Sequence, residues 1–240
     1  MARTPAVLVT GGSGGIGRAI CLEFARAGWT VGIHFHERQE AAERTAASVK
    51  ESGGEGLLFQ ADIRNAHAVE AMAESFAARC GRFDVLVCNA GQAASHLVLR
   101  LSPDVWTATI ETNLTGTFYC LRAAGKLMLA QRAGSVVVIG SFAAVQGQPG
   151  QAAYAASKAG LLGLVKTAAR EWGASNVRVN AVLPGWHQTE LVGDAVPVTL
   201  HSTHVLGRLA ELQSVARSIY YLALLEDVSG QVWNLDSRIL

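Results

Sequence analysis

The sequence has little charge and little proline, and neither charge sign is in excess. Asp, Glu, Lys and Arg make up 16% of the 240 residues, and 20 basic against 19 acidic side chains leave a net charge of +1 with histidine neutral. Nucleic-acid and anionic-membrane partners usually require a basic excess, so this balance argues against both. Half of the residues are hydrophobic, which excludes a disordered chain.

Long apolar runs and paired cysteines are also missing. No stretch reaches the ~18 apolar residues of a transmembrane helix, and the first residues do not have the pattern of a signal peptide. The cysteines are scattered, with no CxxC pair, at Cys21, Cys80, Cys88 and Cys120. This spacing favours reduced, mostly buried thiols over a disulfide or zinc framework. We therefore expect a cytoplasmic protein with no membrane span and no metal.

Short apolar runs alternate with longer helix-like segments along the whole chain. The predicted strands are residues 6–10, 30–35, 55–60, 85–89, 135–139, 177–182 and 231–235. The predicted helices are residues 15–27, 38–52, 66–79, 103–131, 152–173 and 212–225. Alternation of this kind indicates parallel pairing, with right-handed crossovers and helices on both faces.

The fold class predicted is α/β, a doubly wound Rossmann-type domain with a parallel sheet of about seven strands. We expect a single domain over residues 1–240, because no repeat, charge block or linker divides the chain. In such sheets, ligands bind beyond the carboxyl ends of the strands. The longest candidate loop there, at about residues 186–207, is the predicted substrate loop.

A glycine-rich turn follows the first predicted strand and opens a helix. It reads Thr10-Gly11-Gly12-Ser13-Gly14-Gly15-Ile16-Gly17. Glycines permit a tight turn and close approach of a pyrophosphate, and the helix N-terminus offers free N–H groups. A purely structural turn is the alternative, but the position between strand and helix favours a dinucleotide site.

The end of the second predicted strand bears on the choice of dinucleotide. NAD sites usually carry a carboxylate there, whereas this chain has Phe35, with Glu37 nearby. Arg38 would face a 2′-phosphate, for which a guanidinium is well suited. We therefore favour NADP, with NAD as the alternative. His34 and His36 lack a third ligand and are interpreted as surface or groove residues rather than a metal site.

Tyr154 and Lys158 are four residues apart at the start of a predicted helix, so they share one helical face. A nearby cation favours phenolate, so we expect Lys158 to lower the pKa of Tyr154 and make it an acid–base group. Ser141 follows the strand predicted at residues 135–139, where its hydroxyl would polarise a carbonyl. Each feature alone is weak evidence for a catalytic site. The combination favours one, because all three residues fall on the same predicted edge of the sheet.

Taken together, these motifs resemble the short-chain dehydrogenase/reductase family over essentially the full length. The residues that carry the resemblance are Thr10, Gly11, Gly15, Ile16, Gly17, Asp62, Asn89, Ala90, Gly91, Asn113, Ser141, Tyr154, Lys158, Pro184 and Gly185. Within the family, residues 96–101, 111–114 and 150–161 are similar to 3-oxoacyl-[acyl-carrier-protein] reductases.

The resemblance implies a role for each matched residue. Tyr154 would be the acid/base, Lys158 would tune it and hold the nicotinamide ribose, and Ser141 would position the carbonyl. Asn113 would support a water in the proton relay. The implied cofactor residues are Gly11, Ser13, Gly15, Ile16, Gly17, Phe35, Arg38, Asp62, Ile63, Asn89, Ala90, Gly91, Tyr154, Lys158, Pro184, Gly185 and Thr189.

The function predicted is hydride transfer from NADPH to a ketone, most of all a 3-oxoacyl thioester, with an acyl carrier protein as possible partner. Arg132 stands at one of the two usually basic positions beside the entrance, but Ser175 stands at the other. His187 replaces an aliphatic residue, Gly14 replaces a frequent basic residue, and the tail at residues 234–238 lacks the frequent Gly-Gly. A homotetramer is implied by the resemblance alone.

Two alternative hypotheses about the function remain. One keeps the chemistry and changes the substrate to a sugar, polyol, steroid or other secondary alcohol. The other is a catalytically silent dinucleotide-binding protein, against which the intact set of Ser141, Asn113, Tyr154 and Lys158 argues.

Overall fold

A computed structural model of the chain describes residues 3–187 and 203–239. Its centre is one parallel sheet with the strand order β3-β2-β1-β4-β5-β6-β7. The strands are Ala6–Val9 (β1), Thr30–Phe35 (β2), Glu55–Gln60 (β3), Val85–Cys88 (β4), Gly134–Ile139 (β5), Val177–Leu183 (β6) and Val232–Asn234 (β7). The predicted fold class is confirmed, and every strand end lies within one residue of its predicted position.

The helices form a layer on each face of the sheet. They are Gly15–Arg26 (α1), Gln39–Glu51 (α2), Ala66–Cys80 (α3), Pro103–Ile110 (α4), Gly116–Gln131 (α5), Ala143–Gln146 (α6), Ala152–Trp172 (α7) and Leu212–Leu224 (α8). One core joins α1, α2 and α8 to the sheet, and the other joins α3, α5 and α7 to its opposite face. The central strands β1, β4 and β5 are buried along their whole length. This explains their unbroken apolar sequences.

The helix predicted over residues 103–131 differs from the structure. A π-helical turn, Glu111–Thr115, separates α4 from α5. Such turns insert one extra residue into a helix and are frequent at functional sites. Here the turn buries Asn113 completely, at 0% exposure.

The strand order reverses direction between β1 and β4, which are neighbours in the sheet. The chain leaves β1 toward β2 on one side and leaves β4 toward β5 on the other. The loops after these two strands therefore diverge and leave a crevice at their carboxyl ends. In the described part of the chain, no helix has the length and apolar character needed to cross a membrane.

Candidate active site

A cavity of about 400 Å³ occupies the crevice at the carboxyl ends of the strands. A larger one, about 600 Å³, lies at the amino ends, beside Arg3, Thr30 and Glu55. Because ligands of doubly wound sheets bind at the carboxyl ends, we take the smaller cavity as the candidate cofactor site. Of the predicted cofactor residues, those that line it are Gly11, Ser13, Phe35, Arg38, Asp62, Ile63, Ala90 and Gly91.

The glycine-rich turn has the tight geometry that the sequence predicts. Gly11 has a φ of 64°, in the left-handed region that favours glycine. A Cβ at Gly17 would lie 2.2 Å from the carbonyl oxygen of Gly11, so no other residue fits there. Gly15, Ile16 and Gly17 begin α1. This helix has no side-chain cap at its start and no acidic residue in its first turn. The start of this helix is thus suited to an anion.

Hydrogen bonds from the loop after β4 brace this turn. The hydroxyl of Thr10 accepts from the backbone N–H groups of Asn89, at 2.9 Å, and Ala90, at 3.0 Å. The side-chain amide of Asn89 donates to the carbonyl oxygens of Thr10 and Gly11, both at 3.1 Å. Asn89 therefore shapes the pocket by holding the turn.

His34 braces the same turn from the other side. Its Nδ1 accepts from the N–H of Gly11 at 3.0 Å, and its Nε2 lies 3.0 Å from the carbonyl oxygen of Ala61. The two bonds together require a neutral imidazole with its proton on Nε2. Burial lowers the pKa of His34 to about 4, which keeps the ring neutral. The sequence alone did not reveal this role, because a buried histidine in a strand has no local signature.

At the far end of the cavity lie several charged side chains. Arg64 donates to both carboxylate oxygens of Asp62, with Nε 3.0 Å from Oδ1 and Nη2 2.7 Å from Oδ2. This hydrogen bonding lowers the pKa of Asp62 to about 2. Arg38 and His36 are exposed on the rim, and both line the cavity together with Arg64.

Lys158 reaches across the catalytic edge to the end of β5. Its Nζ donates to the carbonyl oxygen of Ile139 at 2.7 Å. A Cβ placed on Gly91 would lie 3.8 Å from this Nζ and 3.1 Å from Oδ1 of Asn113. Glycine at this position therefore permits the close approach of the Asn113 amide, while Lys158 lies at an ordinary contact distance. Burial lowers the pKa of Lys158 to about 8.

Asn113 uses its side chain to join two elements. Its Oδ1 accepts from the N–H of Gln92 at 2.8 Å, and its Nδ2 donates to the carbonyl oxygen of Gln92 at 2.9 Å. The same Nδ2 donates to the hydroxyl of Ser157 at 3.0 Å, and that hydroxyl donates to the carbonyl oxygen of Tyr154 at 2.7 Å. The amide thus ties the loop after β4 to the first turn of α7, where Tyr154 lies.

Tyr154 and Ser141 meet at this edge, as the sequence predicts. Burial raises the pKa of Tyr154, and a hydrogen bond with the Ser141 side chain partly opposes that rise. The expected lowering by Lys158 is absent here. Its Nζ lies 5.8 Å from the centre of the Tyr154 ring and is directed to a backbone carbonyl, so burial dominates. The phenol is therefore protonated at neutral pH, the form a proton donor needs.

The chain leaves β6 through Pro184 and Gly185. Gly185 has a φ of 86°, and a Cβ there would lie 2.7 Å from a carboxylate oxygen of Asp236. His187 is buried, and its Nε2 lies 2.8 Å from the carbonyl oxygen of Pro184. Thr189 lies outside the described residues, as does the rest of the predicted substrate loop between residues 188 and 202.

These features fit a dinucleotide. The turn at Gly11 and Gly17 forms a cradle that a Cβ would fill, next to an uncapped helix start. Arg38 adds a cation to the lining, Arg64 is paired with Asp62, and Gly91 lies near Lys158. Sequence reasoning missed Arg64, Gln92 and Thr112 as lining residues. A signal existed for Arg64, since it stands two residues after Asp62 in the loop that follows β3.

Comparison with known proteins identifies a family and several relatives. A model of the short chain dehydrogenase family matches residues 5–197. The chain is 38% identical to a 3-oxoacyl-[acyl-carrier-protein] reductase from Synechocystis sp. over 236 residues, which cover 97% of this chain and 96% of the relative. It is 36% identical to the 3-oxoacyl-[acyl-carrier-protein] reductase FabG of Staphylococcus aureus over 226 residues, 93% of this chain and 92% of the relative.

Solved structures agree with this fold. A crystal structure of an NAD⁺-bound xylitol dehydrogenase superposes with a TM-score of 0.90 at 29% identity, covering 97% of this chain and 98% of that one. Both the sequence and the backbone are thus similar to dehydrogenases over nearly their full length.

Proposed function

Since the chain belongs to the short-chain dehydrogenase family and its members use a nicotinamide dinucleotide, we propose that it reduces a ketone to a secondary alcohol with NADPH. The substrate that we propose is a 3-oxoacyl thioester. The observation that carries the reaction type is the convergence of Ser141, Tyr154, Lys158 and Asn113 on one edge of the sheet, beside the candidate cofactor cavity.

Each of the four side chains has a distinct part in the proposed mechanism. The bound nicotinamide supplies the hydride. Ser141 donates a hydrogen bond that orients the substrate carbonyl, and Tyr154 gives its phenolic proton to the carbonyl oxygen. Lys158 would hold the nicotinamide ribose, and Asn113 holds the first turn of α7 that carries Tyr154. The raised pKa of Tyr154 suits the reductive direction, because the proton is in place before the carbonyl arrives.

Replacing Tyr154 tests this mechanism. In Tyr154→Phe the ring and its packing remain while the proton donor is lost, so kcat should fall about 10³-fold or more. The dissociation constant of the cofactor, measured by fluorescence titration, should change less than about twofold. Tyr221→Phe is the control, since Tyr221 is 58% exposed on α8. Unchanged turnover in Tyr154→Phe would refute the assigned role.

The preference for NADP rests on the charges around the cavity. Phe35 takes the place of the carboxylate that would bind a ribose 2′-hydroxyl, and Arg64 neutralises Asp62. Arg38 is then the guanidinium that we propose for a 2′-phosphate, a group for which a guanidinium is well suited. The exposed Glu37 is the feature that opposes this choice.

Paired titrations of NADPH and NADH test the preference. The wild type should show the higher kcat/KM with NADPH, and Arg38→Ala and Arg64→Ala should each lower the NADPH:NADH ratio about tenfold. Arg44→Ala, which removes an exposed cation elsewhere on α2, should leave the ratio unchanged. A wild-type preference for NADH would overturn the assignment and agree with the cofactor named for the xylitol dehydrogenase.

The proposed thioester substrate is supported by the two relatives named as 3-oxoacyl-[acyl-carrier-protein] reductases. The xylitol dehydrogenase supports a polyol as the second candidate. Turnover of acetoacetyl thioesters, carried by coenzyme A and by an acyl carrier protein, should be compared with oxidation of xylitol. Activity confined to xylitol would remove the thioester and leave the reaction type intact. Faster turnover of the carrier-protein thioester, lost in Arg132→Ala, would support docking of the carrier.

A homotetramer is also proposed. Large apolar side chains are exposed on α4 and α5, with Trp106 at 41% and Phe118 at 43%. Contact with further copies of the chain would cover such faces. Light scattering after size-exclusion chromatography measures the state directly, and a monomeric mass at micromolar concentration would contradict it.

A further inference from the structure

The C-terminal tail after β7 contains a buried ion pair. Nε of Arg238 donates to Oδ2 of Asp236 at 2.8 Å, and only 1% of the Asp236 side chain and 7% of the Arg238 side chain are exposed. This is the segment in which the sequence departs from the frequent Gly-Gly. A buried pair of this kind is weak evidence for stability, because apolar residues of similar size pack as well or better. Its presence therefore calls for another explanation.

Asp236 is packed against the turn that follows β6. One carboxylate oxygen lies 2.7 Å from the position that a Cβ on Gly185 would take, and the carboxylate acts electrostatically on the buried ring of His187. His187, the other departure at this edge, is bonded to the carbonyl oxygen of Pro184. The two departures from the family pattern are thus neighbours in space. Together they enclose the Pro184–Gly185 turn.

Arg238 is packed against the loop that follows β5. Its guanidinium carbon lies 3.9 Å from the centre of the Phe142 ring, well inside the range of a cation–π contact. Phe142 is buried and directly follows Ser141 in the chain. The guanidinium therefore packs against the residue next to Ser141.

The tail also holds the far end of the segment that follows Gly185. The Nε2 of His204 lies 3.6 Å from Oδ2 of Asp236, with both side chains buried. The N–H of Val205 donates to the carbonyl oxygen of Ser237 at 3.2 Å. One short stretch, Asp236 to Arg238, thus contacts three separate segments around the catalytic edge.

We propose that Asp236 and Arg238 are positioning residues, which hold the Ser141 loop, the Pro184–Gly185 turn and the segment at His204 in fixed relation to one another. The proposal rests on the proposed function, because it assigns to Ser141 the orientation of the substrate carbonyl. Misplacement of a catalytic group by about 1 Å costs up to 10²-fold in rate, so loss of this pair should be visible in turnover.

The test is a comparison of Arg238→Met, Arg238→Lys and Phe142→Leu. Arg238→Met keeps the apolar stem and removes the guanidinium, so kcat should fall at least about tenfold, while the dissociation constant of NADPH stays within about twofold. Arg238→Lys restores the charge and should recover part of the rate. Phe142→Leu removes the ring under the guanidinium while leaving the ion pair, and should lower kcat in the same sense.

Arg82→Met is the matched control. Arg82 forms an equivalent pair with Asp84, two residues away in the sequence, with Nε 2.6 Å from Oδ2. It precedes β4 and therefore lies at the amino ends of the strands. Its substitution should leave kcat unchanged. If Arg238→Met does not fold, Phe142→Leu carries the test, and full kcat in that folded variant would overturn the proposal.

A double-mutant cycle separates positioning from a general loss of structure. If Arg238 acts through Ser141, then Arg238→Met should lower kcat much less in a Ser141→Ala background than in the wild type. An equal fold reduction of kcat by Arg238→Met in the two backgrounds would overturn the proposal. Full activity of Ser141→Ala itself would instead contradict the proposed function, so the two failures are distinguishable.

Discussion

His34 is a buried residue that is kept neutral by burial and that uses both ring nitrogens in hydrogen bonds. Gly11 donates to one ring nitrogen and the other faces the carbonyl oxygen of Ala61, so protonation breaks the first bond. The ionisable groups that act on it are His36, which lowers the pKa, and Asp62, which raises it. Burial is the largest cause, and it outweighs the upward effects of Asp62 and of the hydrogen bond to Ala61, so the pKa in the folded state is about 4.

The folding free energy should therefore depend on pH through His34. Between its ordinary pKa of ~6.5 and the folded value of about 4, the unfolded chain binds the extra proton. Stability is thus fully present above pH ~6.5 and falls by about 3 kcal/mol as the pH drops through this window. Urea unfolding at pH 7, 5.5 and 4 measures it. His34→Asn, which keeps an acceptor for the N–H of Gly11, should lose less unfolding free energy between pH 7 and pH 4 than the wild type. An equal loss in the two proteins would contradict this prediction.

Lys158 should set the alkaline limit of the reaction. Its pKa is lowered to about 8 by burial, whereas the pKa of Tyr154 is raised, so the lysine loses its charge first as the pH rises. Ketone reduction should be constant below pH ~7 and decline through about pH 8, because a neutral lysine is a weaker hydrogen-bond donor to the ribose hydroxyls that position the nicotinamide. The pH dependence of kcat/KM from 6 to 10 checks this. A profile that stays flat to pH 9.5 would show that the charge of Lys158 is not required.

The residues of the site were more predictable than their contacts. Tyr154, Lys158 and Ser141 could be recognised because a helical spacing and a strand end put them at one edge. The direction in which the pKa of Tyr154 shifts was not predictable, since it depends on the depth of burial and on the hydrogen bond from Lys158 to Ile139. The pairing of Arg64 with Asp62 is likewise a matter of side-chain geometry.

At the scale of elements, the glycine turn and α1 form one unit. Gly17→Ala would force a Cβ against the carbonyl oxygen of Gly11, so the turn must open. We expect the dissociation constant of the cofactor to rise more than tenfold. Isothermal titration calorimetry with NADPH and NADH measures it.

Gly163→Ala on α7 is the control for this substitution. Gly163 is exposed, and a Cβ there meets nothing within 4 Å. Because glycine is a poor residue for a helix interior, alanine should stabilise the fold by about 0.5–1 kcal/mol and leave cofactor binding unchanged. Equal cofactor affinity of the Gly17→Ala and Gly163→Ala variants would show that the turn does not contact the cofactor.

The elements differ in how well the sequence predicts them. The strands and most helices were placed within one residue, because apolar runs bounded by glycine and polar residues leave little freedom. The π-helical turn at Glu111–Thr115 was missed, since the apolar pattern continues through it without a break. The bonds from Asn113 to Gln92 and Ser157 stabilise that turn, and they join residues far apart in the sequence.

At the scale of the whole molecule, the two ends of the described chain lie at opposite edges of the sheet. Arg3 donates to the carbonyl oxygen of Gly81 beside the amino ends of the strands, at 2.7 Å. The tail to Arg238 contacts Phe142 at the catalytic edge. A small folded domain fused before Arg3 should therefore leave kcat unchanged, whereas one fused directly after Ile239 should lower it. Steady-state assays of both fusions measure this, and equal rates would contradict it.

Because the two ends of the described chain lie on opposite sides of the molecule, the point of attachment to a support decides which side faces the solution. Immobilised on a resin through the Arg3 side, the enzyme would present its reacting end to the flowing solution. Immobilised through the other terminus, that end would face the resin, and diffusion of reagents would be hindered.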